Sequence, residues 1–181
     1  YSTFQEKCVL SAEIMFDGWY LGATKLLANS ANKYAPSYVY YFNYLTPNIR
    51  ASHIGAAHTF ELPYVFGSLN AVVSTPKSDL STNRCVYINQ ALVEMKQGAT
   101  WSKYWFPITA PDNKEDQSIS KQLTKSWTAF AKTGNPNYGE KNNWPRYDIK
   151  NDAIREFTQG NKDIINNLKT DRVNYQIKTV N

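Results

Sequence analysis

The stretch that decides the fold is YVYYFNYLTPNIRASHIGAAHTFELPYVFG, residues 38–67. Its first seven residues are almost all β-branched or aromatic and do not alternate with polar ones. That pattern predicts a strand covered on both faces, as in a parallel or mixed central sheet. Pro47 closes the strand, and the Ala-, Ser- and Gly-rich residues 48–59 form a predicted loop. Residues 61–66 favour a short helical turn that stops at Gly67.

Helices are predicted on both sides of this stretch. Residues 12–32 and residues 116–133 each have an apolar stripe at helical spacing. Gly18 and Gly22 weaken the first helix by about 1 kcal/mol each, so they predict close packing against a neighbour. Gly134 has the position of a glycine that ends the second helix. The apolar positions are Ile14, Met15, Trp19, Ala23, Leu26, Leu27 and Ala31 in the first helix, and Ile119, Leu123, Trp127, Phe130 and Ala131 in the second.

The rest of the chain has weaker patterns. Residues 83–97 have helical spacing, and an aromatic group follows at residues 101–106. Residues 144–147 and 153–158 are predicted as two short extended pieces joined by a turn, and residues 171–180 as a final helix. No repeat or domain boundary interrupts the 181 residues, so one domain is predicted.

Composition narrows the class of protein. Hydrophobic residues make up 42% and charged residues 19%, as in an ordinary globular domain. No run approaches the roughly 18 apolar residues of a membrane span. The net charge of +5 comes from scattered Lys and Arg, so no nucleic-acid surface is predicted. Cys8 and Cys85 lack a CxxC or zinc spacing; a disulfide between them stays open, and two free thiols is the simpler interpretation.

Both histidines, His53 and His58, fall in the predicted loop after the strand. An imidazole titrates near neutral pH, so a loop histidine at the end of a sheet is a credible general base. A histidine at an arbitrary loop position is more often a solvated surface residue. The sequence around His58 is therefore needed to distinguish a general base from a surface residue.

Three motifs in order resemble those of the type-B carboxylesterase and cholinesterase family. GAAHTFELPYVFG (residues 55–67) is similar to the family's histidine motif, WTAFAKTGNPN (127–137) to a late helix with its exit turn, and WPRY (144–147) to the next element. The resemblance implies an α/β fold, the C-terminal portion of an α/β hydrolase with late sheet strands and flanking helices, incomplete on its own. It also implies that His58 is the base of a serine esterase triad.

The same resemblance bears on residues near His58. His53 does not align with the catalytic role and is expected near solvent. Glu61 is disfavoured as the triad acid because its segment turns helical; the resemblance implies a structural carboxylate that fixes the loop by accepting backbone N–H bonds. Thr59 stands where the family often has glycine. Residues 68–114 exceed the usual link between motifs, so they are an insertion, packed on the surface or walling the substrate gorge.

The nucleophile and the acid are missing from the pattern. No serine has glycines two residues away on both sides, and no Gly-Gly pair is present to build an oxyanion loop. We therefore expect the N-terminal part of the same esterase to supply the serine, the acid and the oxyanion hole. The isolated chain is expected to be inactive. The implied substrate is a small-molecule carboxylic ester, and no metal or organic cofactor is implied.

Two rival functions stay open. One is a non-catalytic cholinesterase-like domain for adhesion or binding, which a serine at the strand-to-helix elbow of the upstream sequence would exclude. The other is an independent binding module of 181 residues, which an exposed sheet edge disfavours. The compartment also stays open among cytoplasmic, periplasmic and secreted.

Overall fold

The computed structural model describes residues 10, 13–14, 16–46, 50, 56, 59–69, 113–139, 143–160 and 164–174. These ranges do not include either histidine or either cysteine. They also leave out the predicted helix at 83–97 and the aromatic group at 101–106. Nearly all of residues 68–114 and the end of the helix at 171–180 lie outside them too. The statements made about those residues therefore stay predictions.

A small mixed sheet lies at the centre of the described residues. Strand β1 (Tyr40–Phe42) pairs in parallel with β2 (Ala153–Phe157), and β2 pairs antiparallel with β3 (Ile164–Asn166). In this register Tyr40 lies opposite Arg155. The prediction of a parallel or mixed sheet is confirmed, and β1 stands at one end of the three-stranded order.

Successive side chains of the segment around β1 enter two different cores. The aromatic rings at positions 38, 40, 42 and 44 belong to the first core, whereas Val39 and Tyr41 belong to the second. The predicted cover on both faces is thus confirmed, since side chains of a strand alternate between its faces. The buried residues are Tyr44, Tyr64, Ile119, Leu123, Trp144 and Phe157 in the first core, and Ala28, Val39, Tyr147 and Ile154 in the second.

The predicted N-terminal helix is confirmed, but it does not bury its apolar stripe. A π-helical turn, Asp17–Gly22, continues directly into α1 (Ala23–Ala31). Trp19 is 71% exposed and Leu27 is 72% exposed. Polar contacts hold the opposite side of the helix against Asp152 and residues 168–172, and they turn the apolar stripe outward. The buried residues of this segment are Asp17, Gly22, Lys25 and Ala28.

The close packing predicted from a helical glycine is confirmed at Gly22. A Cβ added there would lie 3.3 Å from Cγ1 of Val173, closer than an ordinary contact. Val173 is buried and belongs to residues 170–174, which are helical and begin the predicted final helix. Glycine therefore lets the N-terminal helix approach the C-terminal one.

Two helices cover the first core, α2 (Leu62–Val65) and α3 (Lys114–Thr133). The side chain of Asn113 caps α3 by accepting a hydrogen bond from the N–H of Asp116 at 2.8 Å. Gly134 ends α3 with φ of 72°, a conformation that glycine adopts without a steric penalty. The short turn, the long helix and its terminal glycine are confirmed. Within the described ranges, the helices are all too short or too polar to cross a membrane.

The two extended pieces predicted near the C-terminus have different outcomes. The second is confirmed as β2, whereas residues 144–147 form no strand. Instead Trp144 donates its indole N–H to the carbonyl of Val39 at 3.0 Å, and the Tyr147 N–H donates to Ser37 at 2.7 Å. Burial of one aromatic ring in each core replaces strand pairing there.

Candidate active site

The segment predicted to carry the catalytic base runs from β1 to α2. His58 and His53 lie outside the described residues, so the site rests on the residues around them. Phe60 is 4% exposed, which anchors the chain two residues after His58. The N–H of Leu62 donates to the carbonyl of Thr59 at 3.1 Å and starts the turn into α2.

Thr59, directly after His58, has a left-handed backbone conformation with φ of 74°. This conformation costs about 1–2 kcal/mol for a residue with a Cβ, and it is unusual for a β-branched one. Glycine has no such cost. Thr59 therefore lies at a position where the backbone favours glycine, the residue that the carboxylesterase and cholinesterase family often has there.

Glu61 connects α2 to the sheet. It precedes the first residue of α2, but its side chain makes no capping hydrogen bond to that helix. Its carboxylate instead lies near the Tyr40 hydroxyl on β1, so that its charge acts on this phenol. Burial, followed by the negative charge of Glu61, raises the pKa of Tyr40 to about 12. The phenol thus stays protonated through the physiological pH range.

Two further tyrosines meet at the first turn of α3. The Tyr64 hydroxyl donates to Oδ1 of Asp116 at 2.9 Å, and the Tyr44 hydroxyl donates to Oε2 of Glu115 at 3.5 Å. Asp116 is fully buried, and each tyrosine is 1% exposed. Burial raises the pKa of Asp116, while the tyrosine hydroxyls beside it act in the opposite direction. Burial also raises the pKa of both phenols, so they remain donors.

Helix α3 holds α2 through side chains one turn further along. The hydroxyl of Ser120 donates to the carbonyl of Tyr64 at 2.9 Å. The Thr124 hydroxyl lies 3.2 Å from that carbonyl and 3.1 Å from the carbonyl of Val65. The α3 hydroxyls therefore pair with carbonyls at the end of α2, where that of Tyr64 also accepts the Gly67 N–H at 3.4 Å.

A second buried polar group lies in the other core. The ammonium group of Lys25 lies 2.6 Å from Oδ2 of Asp152, and both side chains are at most 5% exposed. Lys25 also donates to the carbonyl of Leu168 at 2.7 Å and to the hydroxyl of Thr170 at 3.1 Å. The Tyr147 hydroxyl donates to the other oxygen of Asp152 at 3.0 Å. The Lys25 ammonium thus has three acceptors. Its ion pair with Asp152 is structural and joins α1 to the C-terminal segment.

Sequence reasoning singled out His58, His53 and Glu61, and only Glu61 lies in the described residues. It missed Asp116, although a signal was present. Asp116 is three residues before Ile119, which places it on the predicted apolar stripe of α3. A carboxyl group on a buried stripe requires a donor, and Tyr64 at the end of the loop donates to one of its oxygens.

Known proteins match this chain in sequence. Residues 99–176 match the family model described as "Carboxylesterase family". Acylcarnitine hydrolase of Rattus norvegicus is 25% identical over 172 residues, which cover 93% of this chain and 24% of that protein. Para-nitrobenzyl esterase of Bacillus subtilis is 28% identical over 120 residues, 66% of this chain and 17% of that protein.

Solved structures match the described fold. A thermophilic PNB esterase has a TM-score of 0.52 and 25% identity over 82% of this chain and 23% of its own. A carboxylesterase of Geobacillus stearothermophilus has a TM-score of 0.55 and, at 20% identity over 87% of this chain and 26% of its own, shows the fold alone. These neighbours are α/β hydrolases, which confirms the predicted fold class. The chain spans about a quarter or less of the length of these relatives.

Proposed function

We infer that this chain, which is type-B carboxylesterase-like and has part of the α/β-hydrolase fold, belongs to an enzyme that hydrolyses carboxylic esters. Its own contribution is the general base His58. The observation that supports this role most directly is the order of elements: a strand packed on both faces, the His58 segment, then α2 packed on α3. In α/β hydrolases the catalytic histidine follows a late strand in this way.

The proposed reaction passes through an acyl-enzyme. As the serine Oγ attacks the ester carbonyl, His58 takes the serine proton, and an oxyanion forms. The carbon–oxygen bond to the alcohol then breaks, and His58 gives the proton to the leaving alcohol. In the second half His58 takes a proton from water, the resulting hydroxide attacks the acyl-enzyme, and the proton returns to the serine. The serine, the acid and the oxyanion donors belong to the N-terminal part of the same esterase.

The proposed contact surface for that N-terminal part is the apolar stripe of the N-terminal helix. Phe16 and Tyr20 stack with ring centroids 5.5 Å apart, and both are about half exposed. Trp19, Leu26 and Leu27 continue the surface along the helix. A contiguous apolar face of this kind on a protein surface is typical of an interaction site. The relatives are about four times longer than this chain, so their remaining fold has the size to cover it.

We expect the complete protein to hydrolyse p-nitrophenyl esters of short acids, and the isolated chain to release no more p-nitrophenol than free imidazole does. The physical reason is that a general base without a nucleophile has no proton to accept. Adding the separately produced N-terminal part should restore turnover. Stoichiometric labelling of the isolated chain by an organophosphonate would contradict this division of roles. A folded complete protein that lacks turnover would support the non-catalytic relative.

We expect the isolated chain to self-associate through the apolar stripe, because exposed Trp and Leu side chains gain free energy when they are covered. Changing Trp19 and Leu27 together to Lys should shift the chain towards monomer in sedimentation velocity and weaken its binding to the N-terminal part. Tyr34→Lys is the matched control, since Tyr34 is 91% exposed but lies beyond the helix. Equal effects of the two changes would argue against the stripe as the contact surface.

A further inference from the structure

Tyr44 and Tyr64 hold the two ends of the segment that contains His58. Tyr44 follows β1 by two residues, and Tyr64 lies in α2, six residues after His58. The two rings pack edge to face with centroids 5.5 Å apart. The two ends of the segment thus meet in the first core.

Neighbouring carboxyl groups on α3 hold these two ends. Oδ1 of Asp116 accepts from the Tyr64 hydroxyl at 2.9 Å, and Oε2 of Glu115 accepts from the Tyr44 hydroxyl at 3.5 Å. Asp116 is in the first turn of α3, where the helix dipole favours a carboxylate. Its own N–H is fixed by Asn113, so the carboxyl group is held at a defined point on a 20-residue helix.

A further contact ties the interior of the same segment to α3. Arg50 lies in the segment, and its Nη2 is 3.0 Å from Oε2 of Glu115, the neighbour of Asp116. The Arg50 guanidinium also donates to the carbonyl of Leu45 at 3.1 and 3.2 Å. Tyr44 at the start of the segment, Arg50 in its interior and Tyr64 at its end therefore all contact the first turn of α3.

We propose that Asp116, through the hydrogen bond it accepts from Tyr64 and the packing of Tyr64 on Tyr44, is a positioning residue for the general base His58. This inference rests on the proposed function. Proton transfer requires the imidazole within hydrogen-bond reach of the serine, and a displacement of about 1 Å costs on the order of 10² in rate. Anchors at both ends of the segment restrict how far its interior is displaced. Asp116 touches no substrate in this scheme and acts only through the position of the segment.

The test compares two tyrosines of the complete enzyme that differ in location but not in chemistry. Tyr64→Phe removes a buried hydroxyl that donates to a buried Asp at 2.9 Å. Tyr147→Phe removes one that donates to Asp152 at 3.0 Å, and both rings are 1% exposed. Both changes should lower the melting temperature by similar amounts. Only Tyr64→Phe should lower kcat, by about tenfold to a hundredfold, with KM within about twofold.

The rates are measured per active site, by titration with an organophosphonate, so that loss of folded enzyme does not count as loss of kcat. Asp116→Leu, which removes the acceptor of the Tyr64 hydroxyl, should repeat the effect of Tyr64→Phe, and it serves if that variant does not fold. A kcat loss of equal size in Tyr147→Phe, or a kcat within twofold of wild type in Tyr64→Phe, would overturn the positioning role. Full activity in His58→Ala would overturn the proposed function itself, and with it this inference.

Discussion

His58→Ala in the complete enzyme is expected to lower kcat by about 10⁴ to 10⁶, or roughly 5 to 8 kcal/mol of transition-state stabilisation. The imidazole is the group proposed to accept the serine proton, so its loss removes the chemical step. KM should change little, because His58 contributes little to ground-state binding. The measurement is steady-state hydrolysis of a p-nitrophenyl ester, with circular dichroism to show that the variant is folded.

His53→Ala is the matched control, since it removes the other imidazole of the same predicted loop. It should stay within a few-fold of wild type. The pH dependence gives a second check: the base works only when neutral, so kcat/KM should fall as pH drops through an imidazole pKa of about 6 to 7. Near-normal kcat in His58→Ala, or loss of activity in His53→Ala instead, would end the assignment.

Lys25→Met is expected to cost the complete protein about 3–5 kcal/mol of unfolding free energy. Methionine nearly keeps the side-chain length, but it leaves the Asp152 carboxylate buried without its cation, and Leu168 and Thr170 lose a donor. Urea denaturation measures the loss as a lower midpoint. The double variant Lys25→Met/Asp152→Asn should cost less than the two single changes added together, since no unpaired charge remains.

The exposed ion pair of Arg50 and Glu115 provides the control for this stability effect. Both of its side chains are 41% exposed, against at most 5% for Lys25 and Asp152. Solvent screening limits such surface pairs to about 0–1 kcal/mol, so Glu115→Gln should shift the urea midpoint little. A similar loss in both experiments would mean that burial does not set the strength of the Lys25 pair.

Local patterns were sufficient to predict α3 and β1. The stripe of α3 is confirmed at Ile119 and Leu123, which are buried, whereas Phe130 near the helix end is 47% exposed. Helix α3 follows from its period and its terminal Gly134, and β1 from its aromatic run; the cap at Asn113 was not predicted and starts α3 two residues early. Strand β3 escaped prediction because its two isoleucines lie among Asn, Lys and Asp, without the aromatic run that surrounds β1.

The buried face of the N-terminal helix was not predictable, because distant residues decide it. Lys25 is held by Asp152 and Thr170, which are 127 and 145 positions away along the chain. The Asp116 carboxyl group similarly depends on Tyr64, 52 positions earlier. Single-sequence patterns report the apolar stripe of a helix, but a buried charge becomes favourable only when its partners are placed by the rest of the fold.

The outward stripe of the N-terminal helix has a consequence for how the proposed halves of the enzyme meet. Lys169 and Arg172 each lie 2.8 Å from Asp17, so the helix is fastened by its polar side while its apolar side faces outward. The apolar contact surface is therefore already ordered within the chain before a partner arrives. Association then costs this helix little conformational entropy. Docking of the preformed surface is therefore more favourable than folding upon binding.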